Sequence, residues 1–269
     1  YLKIIKIRNK FFNNTNFKSK PFKNEETNNF NPIFLVGFPR SGTTLLDTIL
    51  SSHQKIEVIE EKSLLRKSIF SVIKDDIQIL KKFDEIEYKD IEKIREKYFF
   101  TLKSYIKNYD VSKIYIDKLP LNIIHIGEII KIFPNSKFLI SIRHPYDCVL
   151  SAFMQDFQIN NSMSNFLKLD DSAHLYNEVM KLWFVYKSKF NFNYMEVKYE
   201  NIILNFEKQI KAVIEFLGLS WQNELLDYQT TAKKKDMIFT PSYNQVIKPI
   251  YSQSMNRWVR YEKYFKDIN

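Results

Sequence analysis

Glycine is almost absent from this chain: four residues in 269. Turns that need positive backbone angles are therefore few, and a short stretch holding two glycines has a reason to hold them. Cysteine is scarcer still. Cys148 stands alone, which excludes an internal disulfide and a cysteine-built zinc site within the chain, and which fits a reducing compartment. The four histidines (His53, His125, His144 and His174) lack metal-ligand spacing, so no metal is expected. No apolar run reaches the roughly 18 residues of a membrane span. The opening YLKIIKIRNKFF mixes charged and apolar residues without a signal-peptide cleavage pattern, so a cytoplasmic location is expected. Arginine supplies seven of the 41 basic residues, and each is worth placing.

What is present suits one sizeable α/β domain. Hydrophobic residues make up 45% of the chain, enough for a packed core. The net charge of +10 is mostly lysine, spread along the sequence. That excess reads either as a diffuse solvated surface or as a patch for an anionic partner. Residues 1–31 are rich in Asn and Lys and weakly periodic, so they read as a linker or tail. From residue 32 to 269 short apolar runs alternate with helical patterns, which predicts a parallel sheet flanked by helices. Strands are expected at 33–36, 56–59, 113–116, 137–142 and 194–199. Helices are expected at 43–52, 62–82, 88–108, 121–133, 145–157 and 168–189, then over NFEKQIKAVIEFL with Gly218 as its stop, and last over SQSMNRWVRYEKYFKDI. In such sheets ligands bind beyond the carboxyl ends of the strands.

Two of the four glycines bracket one such end. Gly37-Phe-Pro39-Arg40-Ser41-Gly42-Thr43-Thr44 follows a predicted strand and opens a predicted helix. The spacing is that of a phosphate-binding loop, whose backbone N–H groups and helix N-terminus face an anion. Thr43 stands where such loops carry the lysine that reaches the β- and γ-phosphates of a triphosphate. Arg40 instead offers a planar fork suited to one terminal tetrahedral anion. The stretch KFLISIRHPYDCVLS repeats the logic. A strand ends, Arg143 emerges, Pro145 opens a helix, and Ser151 follows within it. Two anion sites at strand ends fit a nucleotide with phosphates at both ends of its ribose.

GFPRSGTT, RHPYDCVLS, VKYENI with FLGLSW, and NQVIKPIY followed by RW together resemble the sulfotransferases that use 3′-phosphoadenosine 5′-phosphosulfate (PAPS). The likeness runs from about residue 32 to 267. It is nearest to bacterial domains that follow tetratricopeptide repeats and to the tyrosylprotein sulfotransferases. The resemblance implies a P-loop nucleoside-triphosphate-hydrolase-like fold, PAPS as sulfuryl donor, 3′,5′-bisphosphoadenosine (PAP) as product, and upstream repeats that precede Tyr1. It implies that Pro39, Arg40, Ser41, Gly42, Thr43 and Thr44 hold the 5′-phosphosulfate while Arg143 and Ser151 hold the 3′-phosphate. Tyr199, Ser242, Lys248 and Arg257 match further cofactor contacts. Gln155 departs from the pattern, because the tyrosylprotein enzymes have an arginine there.

Transfer to a hydroxyl needs a base for the acceptor proton and cations for the leaving phosphate. IEVIEEK brings Glu60 and Glu61 to a strand end near the loop; in an extended chain the two point apart, so one faces the site. The resemblance selects Glu61 as the base. It makes Lys118, in YIDKLPLN, the cation at the transferring group alongside Arg40, and leaves Asp117 a structural role. His53 reads as a helix cap. The expected acceptor is a hydroxyl on a peptide tyrosine or a small molecule, with nucleic acid not expected and a homodimer one option for assembly. Two rival readings stay open. One is a kinase on the same loop, and the other a non-catalytic basic module that binds nucleic acid.

Overall fold

Five apolar segments build one parallel sheet. The computed structural model describes residues 1–15, 31–74, 76–230 and 254–266. The strands are β1 (Ile33–Gly37), β2 (Ile56–Glu60), β3 (Ile114–Lys118), β4 (Lys137–Ile142) and β5 (Asn193–Lys198), each within two residues of its expected place. Their order across the sheet is β2-β3-β1-β4-β5. The central β1 is buried along its whole length, as its unbroken apolar run requires of a strand covered on both faces. The chain leaves β1 toward β2 and β3 on one side, then crosses to β4 on the other. That reversal puts a crevice at the carboxyl end of β1, where the two-glycine loop begins.

The helices are α1 (Leu2–Asn14), α2 (Thr43–Leu50), α3 (Leu64–Phe70), α4 (Asp76–Lys81), α5 (Tyr88–Ser104), α6 (Ile126–Ile132), α7 (Pro145–Phe153), α8 (Leu169–Lys189), α9 (Tyr199–Leu204) and α10 (Phe206–Leu217). Alternation along the strands sorts them into layers. Ile33 and Leu35 of β1 join Leu46 and Ile49 of α2 and Val213 and Ile214 of α10 on one face. Phe34 and Val36 join Tyr98 of α5, Ile129 of α6 and Trp183 of α8 on the other. Gly218 ends α10 as expected. At φ 80° it lets Leu219 N–H reach the Ile214 carbonyl (3.0 Å) and its own N–H reach that of Glu215 (2.9 Å).

The first residues depart from expectation. Residues 2–14 are a packed helix and not a tail. Ile5, Arg8 and Phe12 turn one face of α1 into the core. Phe12 meets Tyr186 edge-on at 4.9 Å and sits over Gly127, where a Cβ would lie 2.6 Å from its ring. Arg8, fully buried, pairs with Glu128 and with Asp76 (3.3 Å). Burial alone would raise the Glu128 carboxyl, but Arg8 holds it down at about 2. A charged residue at a core position masks the helical periodicity, which explains why the sequence reads as a tail here. The remainder of the expected tail, 16–30, lies outside the described residues.

Four further segments differ in detail. The expected helix over 62–82 is two short ones, α3 and α4. The 121–133 segment begins as a 3-10 helix, Pro120–His125, and continues as α6. The helix expected over 145–157 stops at Phe153. The last segment is a 3-10 helix, Arg257–Tyr264.

Candidate active site

The loop after β1 is built on two residues with left-handed backbone. Gly42 has φ 101°, and a Cβ there would stand 2.7 Å from the Tyr199 ring. Arg40 has φ 70°, a conformation costly to any residue with a Cβ and persistent only where surroundings impose it. Pro39, Ser41, Thr43 and Thr44 are buried. The Ser41 carbonyl accepts a hydrogen bond from Ser141 Oγ at the end of β4 (2.9 Å), which ties the loop to the neighbouring strand. The Ser41 hydroxyl itself is buried with no hydrogen-bond partner among the described residues.

Arg143 closes the other side of the loop. Its guanidinium donates to the Arg40 carbonyl (3.1 Å) and to the Ser254 carbonyl, and lies 4.7 Å from the centre of the Tyr199 ring. Its Nε is buried with no hydrogen-bond partner among the described residues. Arg40 Nε donates to Ser151 Oγ on α7 (3.0 Å). Arg40, Gly42, Arg143, Ser151 and Tyr199 therefore form one cluster, although they come from three separate motifs. Tyr199 stands one residue past β5 and opens α9, a small correction to the expected strand.

A second cluster sits at the ends of β2 and β3. Lys118 is the last residue of β3, paired with Leu35 on one side and Glu60 on the other. It lies inside the strand, where the sequence suggests a position just after it. Its ammonium is fully buried, 3.1 Å from Glu61 Oε1, 3.4 Å from Asp47 Oδ2 and 4.0 Å from Glu60 Oε2. Burial pushes the Lys118 pKa down, but the carboxylates of Asp47, Glu61 and Glu60 outweigh it, and the net shift is upward. Glu61 has φ 50°, so it too is held in the left-handed region, and its N–H donates to the Lys118 carbonyl (2.7 Å). Its side chain is 38% exposed, against 20% for Glu60. Glu61 is thus the carboxylate an outside molecule reaches more readily.

Alternation sends the neighbouring Asp117 to the opposite face of the sheet, where it accepts a hydrogen bond from the Tyr98 hydroxyl (3.1 Å). Burial pushes its pKa up to about 7, and the hydrogen bond offsets part of that rise. The folded state thus holds this proton more tightly than the unfolded chain does. Stability falls as pH rises from about 4 to about 7, then levels, a change on the order of a few kcal/mol. Asp117→Asn is expected to lose this dependence. In urea unfolding at several pH values, its stability relative to the parent should climb between pH 4 and 7 and stay level above; a difference independent of pH counts against the assignment.

Two side chains here, Asp47 and Asp147, escape a reading of the sequence alone. Asp47 is one; a single charged residue in the otherwise uncharged helix TTLLDTIL is the signal it leaves. Asp147, at the start of α7, accepts the backbone N–H groups of Asn256 (2.8 Å) and Trp258 (3.0 Å), pinning the C-terminal segment beside Arg143. His144 stacks on Trp258 at 5.1 Å. Arg257 rides on the same segment but is exposed, with its guanidinium at Met154 Sδ (3.3 Å). His53 is a tie and not a helix cap: its Nδ1 accepts from Lys55 N–H (3.1 Å), and Nε2 donates to the Ser220 carbonyl (3.0 Å). Ser242 and Lys248 lie outside the described residues.

A parallel sheet, a tight two-glycine loop leading from its central strand into a helix N-terminus, and basic groups at the adjoining strand ends define a P-loop-like α/β fold. Within that class the chain belongs to the sulfotransferase family, whose model matches residues 32–223. An uncharacterised protein of Aquifex aeolicus is 31% identical over 88% of this chain and 31% of its own length. Protein-tyrosine sulfotransferase 2 of Gallus gallus is 24% identical over 84% of this chain and 62% of its own. The chain therefore spans less than two thirds of either relative. Among solved structures, the sulfotransferase domain of the Synechococcus PCC 7002 olefin synthase superposes with a TM-score of 0.61 at 18% identity, covering 90% of this chain and 91% of that one. Among the described residues no helix is long and apolar enough to cross a membrane.

Proposed function

We propose that this chain moves a sulfuryl group from PAPS to an acceptor hydroxyl, with protein tyrosine as the first acceptor class to test. The observation that carries the reading is the pairing of a lysine-free anion loop with Lys118 buried beside Glu61. Family membership and similarity to the protein-tyrosine sulfotransferase 2 of Gallus gallus support it. The residues suit the nucleotide. Among the described residues the Ser41 hydroxyl and Arg143 Nε are buried donors without partners, as groups that receive phosphate oxygens would be. In this reading residues 39–44 hold the 5′-phosphosulfate end, Arg143, Ser151 and Arg257 hold the 3′-phosphate, and Tyr199 backs Arg143. Ser242 and Lys248 are kept as candidate contacts on the resemblance alone.

Bound PAPS supplies an activated sulfuryl group on a phosphate leaving group. The chain's own side chains supply the rest. Glu61 takes the proton from the acceptor oxygen as that oxygen bonds to sulfur, and Lys118 and Arg40 hold the charge that the departing phosphate oxygen gains.

Calorimetry with PAP tests the nucleotide half. The parent chain should bind PAP, and Arg143→Gln should bind it roughly ten- to a hundredfold more weakly, the scale of a lost charge-assisted hydrogen bond. Unchanged affinity in that variant would remove Arg143 from the site. Turnover of ATP with magnesium and none of PAPS would favour a kinase instead. Labelled sulfate appearing on a tyrosine peptide but not on its phenylalanine counterpart would establish the acceptor class.

A further inference from the structure

Lys118 faces carboxylates from two elements. Glu60 and Glu61 approach from the end of β2, and Asp47 approaches from α2. The three differ in access to water. Glu61 is 38% exposed and Glu60 20%, whereas Asp47 is 1% exposed. A carboxylate that takes a proton from an acceptor loses its charge and stops balancing the ammonium. A buried ammonium left unbalanced tends to shed its proton. One partner must therefore keep its place while Glu61 cycles. Asp47 has the position for it. Its Oδ1 accepts the Ser51 hydroxyl (3.1 Å), which fixes the carboxylate, and its Oδ2 lies toward Lys118. It also sits four residues after Thr43 on the helix that the anion loop opens, so it shares a face with the loop's first helical residue.

We propose that Asp47 is the positioning residue for Lys118, holding the ammonium from the sealed side and keeping it in register with the anion loop while Glu61 exchanges its proton. This rests on the sulfuryl-transfer reading. It does not make Asp47 a catalytic residue, because its carboxylate acts through Lys118.

The test is a titration that needs no substrate. In protein labelled with ¹⁵N,¹³C-lysine, the Lys118 Nζ signal is followed through its Cε protons and assigned by its loss in Lys118→Arg. In Asp47→Asn, Lys118 is expected to lose its proton about one pH unit or more below the parent. Asp47→Glu should restore the midpoint. With PAPS, Asp47→Asn should lower kcat while the KM for PAPS holds. The double variant Glu60→Gln/Glu61→Gln, altered at the more exposed positions, should keep most of the parent midpoint. An unshifted midpoint in Asp47→Asn overturns the proposal. So does a drop in the double variant as large as the one expected of Asp47→Asn, and that arm decides the matter even if Asp47→Asn does not fold. Failure of the sulfuryl-transfer reading would show separately, as a parent chain that binds no PAP.

Discussion

Replacing Glu61 by glutamine is expected to cut turnover of PAPS about a hundredfold or more, the usual scale for removing a general base. Affinity for PAP should hold within about twofold, because the groups assigned to the phosphates lie in a different cluster. The geometry behind this is specific. Glu61 is held at φ 50°, its backbone N–H bonded to the Lys118 carbonyl and one side-chain oxygen 3.1 Å from the Lys118 ammonium. Glutamine can keep much of that contact through its amide oxygen but cannot accept the acceptor's proton. Steady-state rates against calorimetric affinity separate the two effects. A variant that keeps near-parent rates removes Glu61 as the base. Glu60, 4.0 Å from the same ammonium and less exposed, is then the next residue to change.

Lys118→Met is expected to have the largest combined effect. Methionine fills the space of the stem, but Asp47 then stays buried without this cation. Breaking a buried pair from one side typically costs about 3–5 kcal/mol. Urea unfolding should therefore show a marked loss of stability. Turnover should fall by about two to three orders of magnitude, as when a preorganised charge at a leaving group is removed. The double variant Asp47→Asn/Lys118→Met should regain part of the stability and none of the turnover. That split separates the lysine's structural contribution from its chemical one. If the single variant is as stable as the parent, the buried pair is not the constraint it looks to be. If it turns over normally, Lys118 does not face the reaction.

Much of this was legible in the sequence, for identifiable reasons. The strands announce themselves because a sheet covered on both faces demands unbroken apolar runs such as IFLV and KFLISI. The loop after β1 announces itself because two of the four glycines, Gly37 and Gly42, fall at a strand end and a helix start. Arg143 and Lys118 stand out because each is a cation at the end of an apolar run. What stayed hidden were charges at positions where polarity normally signals exposure. Arg8 made α1 look like a tail, although its pairing with Glu128 and Asp76 lets the helix join the core. Asp47 carries no local signal in α2 beyond its charge, because its importance depends on a lysine 71 positions away in the chain. The C-terminal segment also could not be docked on Arg143 from sequence, since Asp147 and Ser254 make that contact across more than a hundred residues.

Local pieces follow from the order of residues: which runs must be buried, where the chain must turn, and which basic groups stand at strand ends. Those follow from periodicity and from the few conformations each residue tolerates. The company those groups keep comes from the folded arrangement. It put Arg40 on Ser151, Arg143 over Tyr199, and Lys118 between the exposed carboxylate of Glu61 and the sealed one of Asp47. A buried charge is tolerated or not according to its partners, and parallel strands bring partners together from distant parts of the chain, beyond the reach of any local pattern.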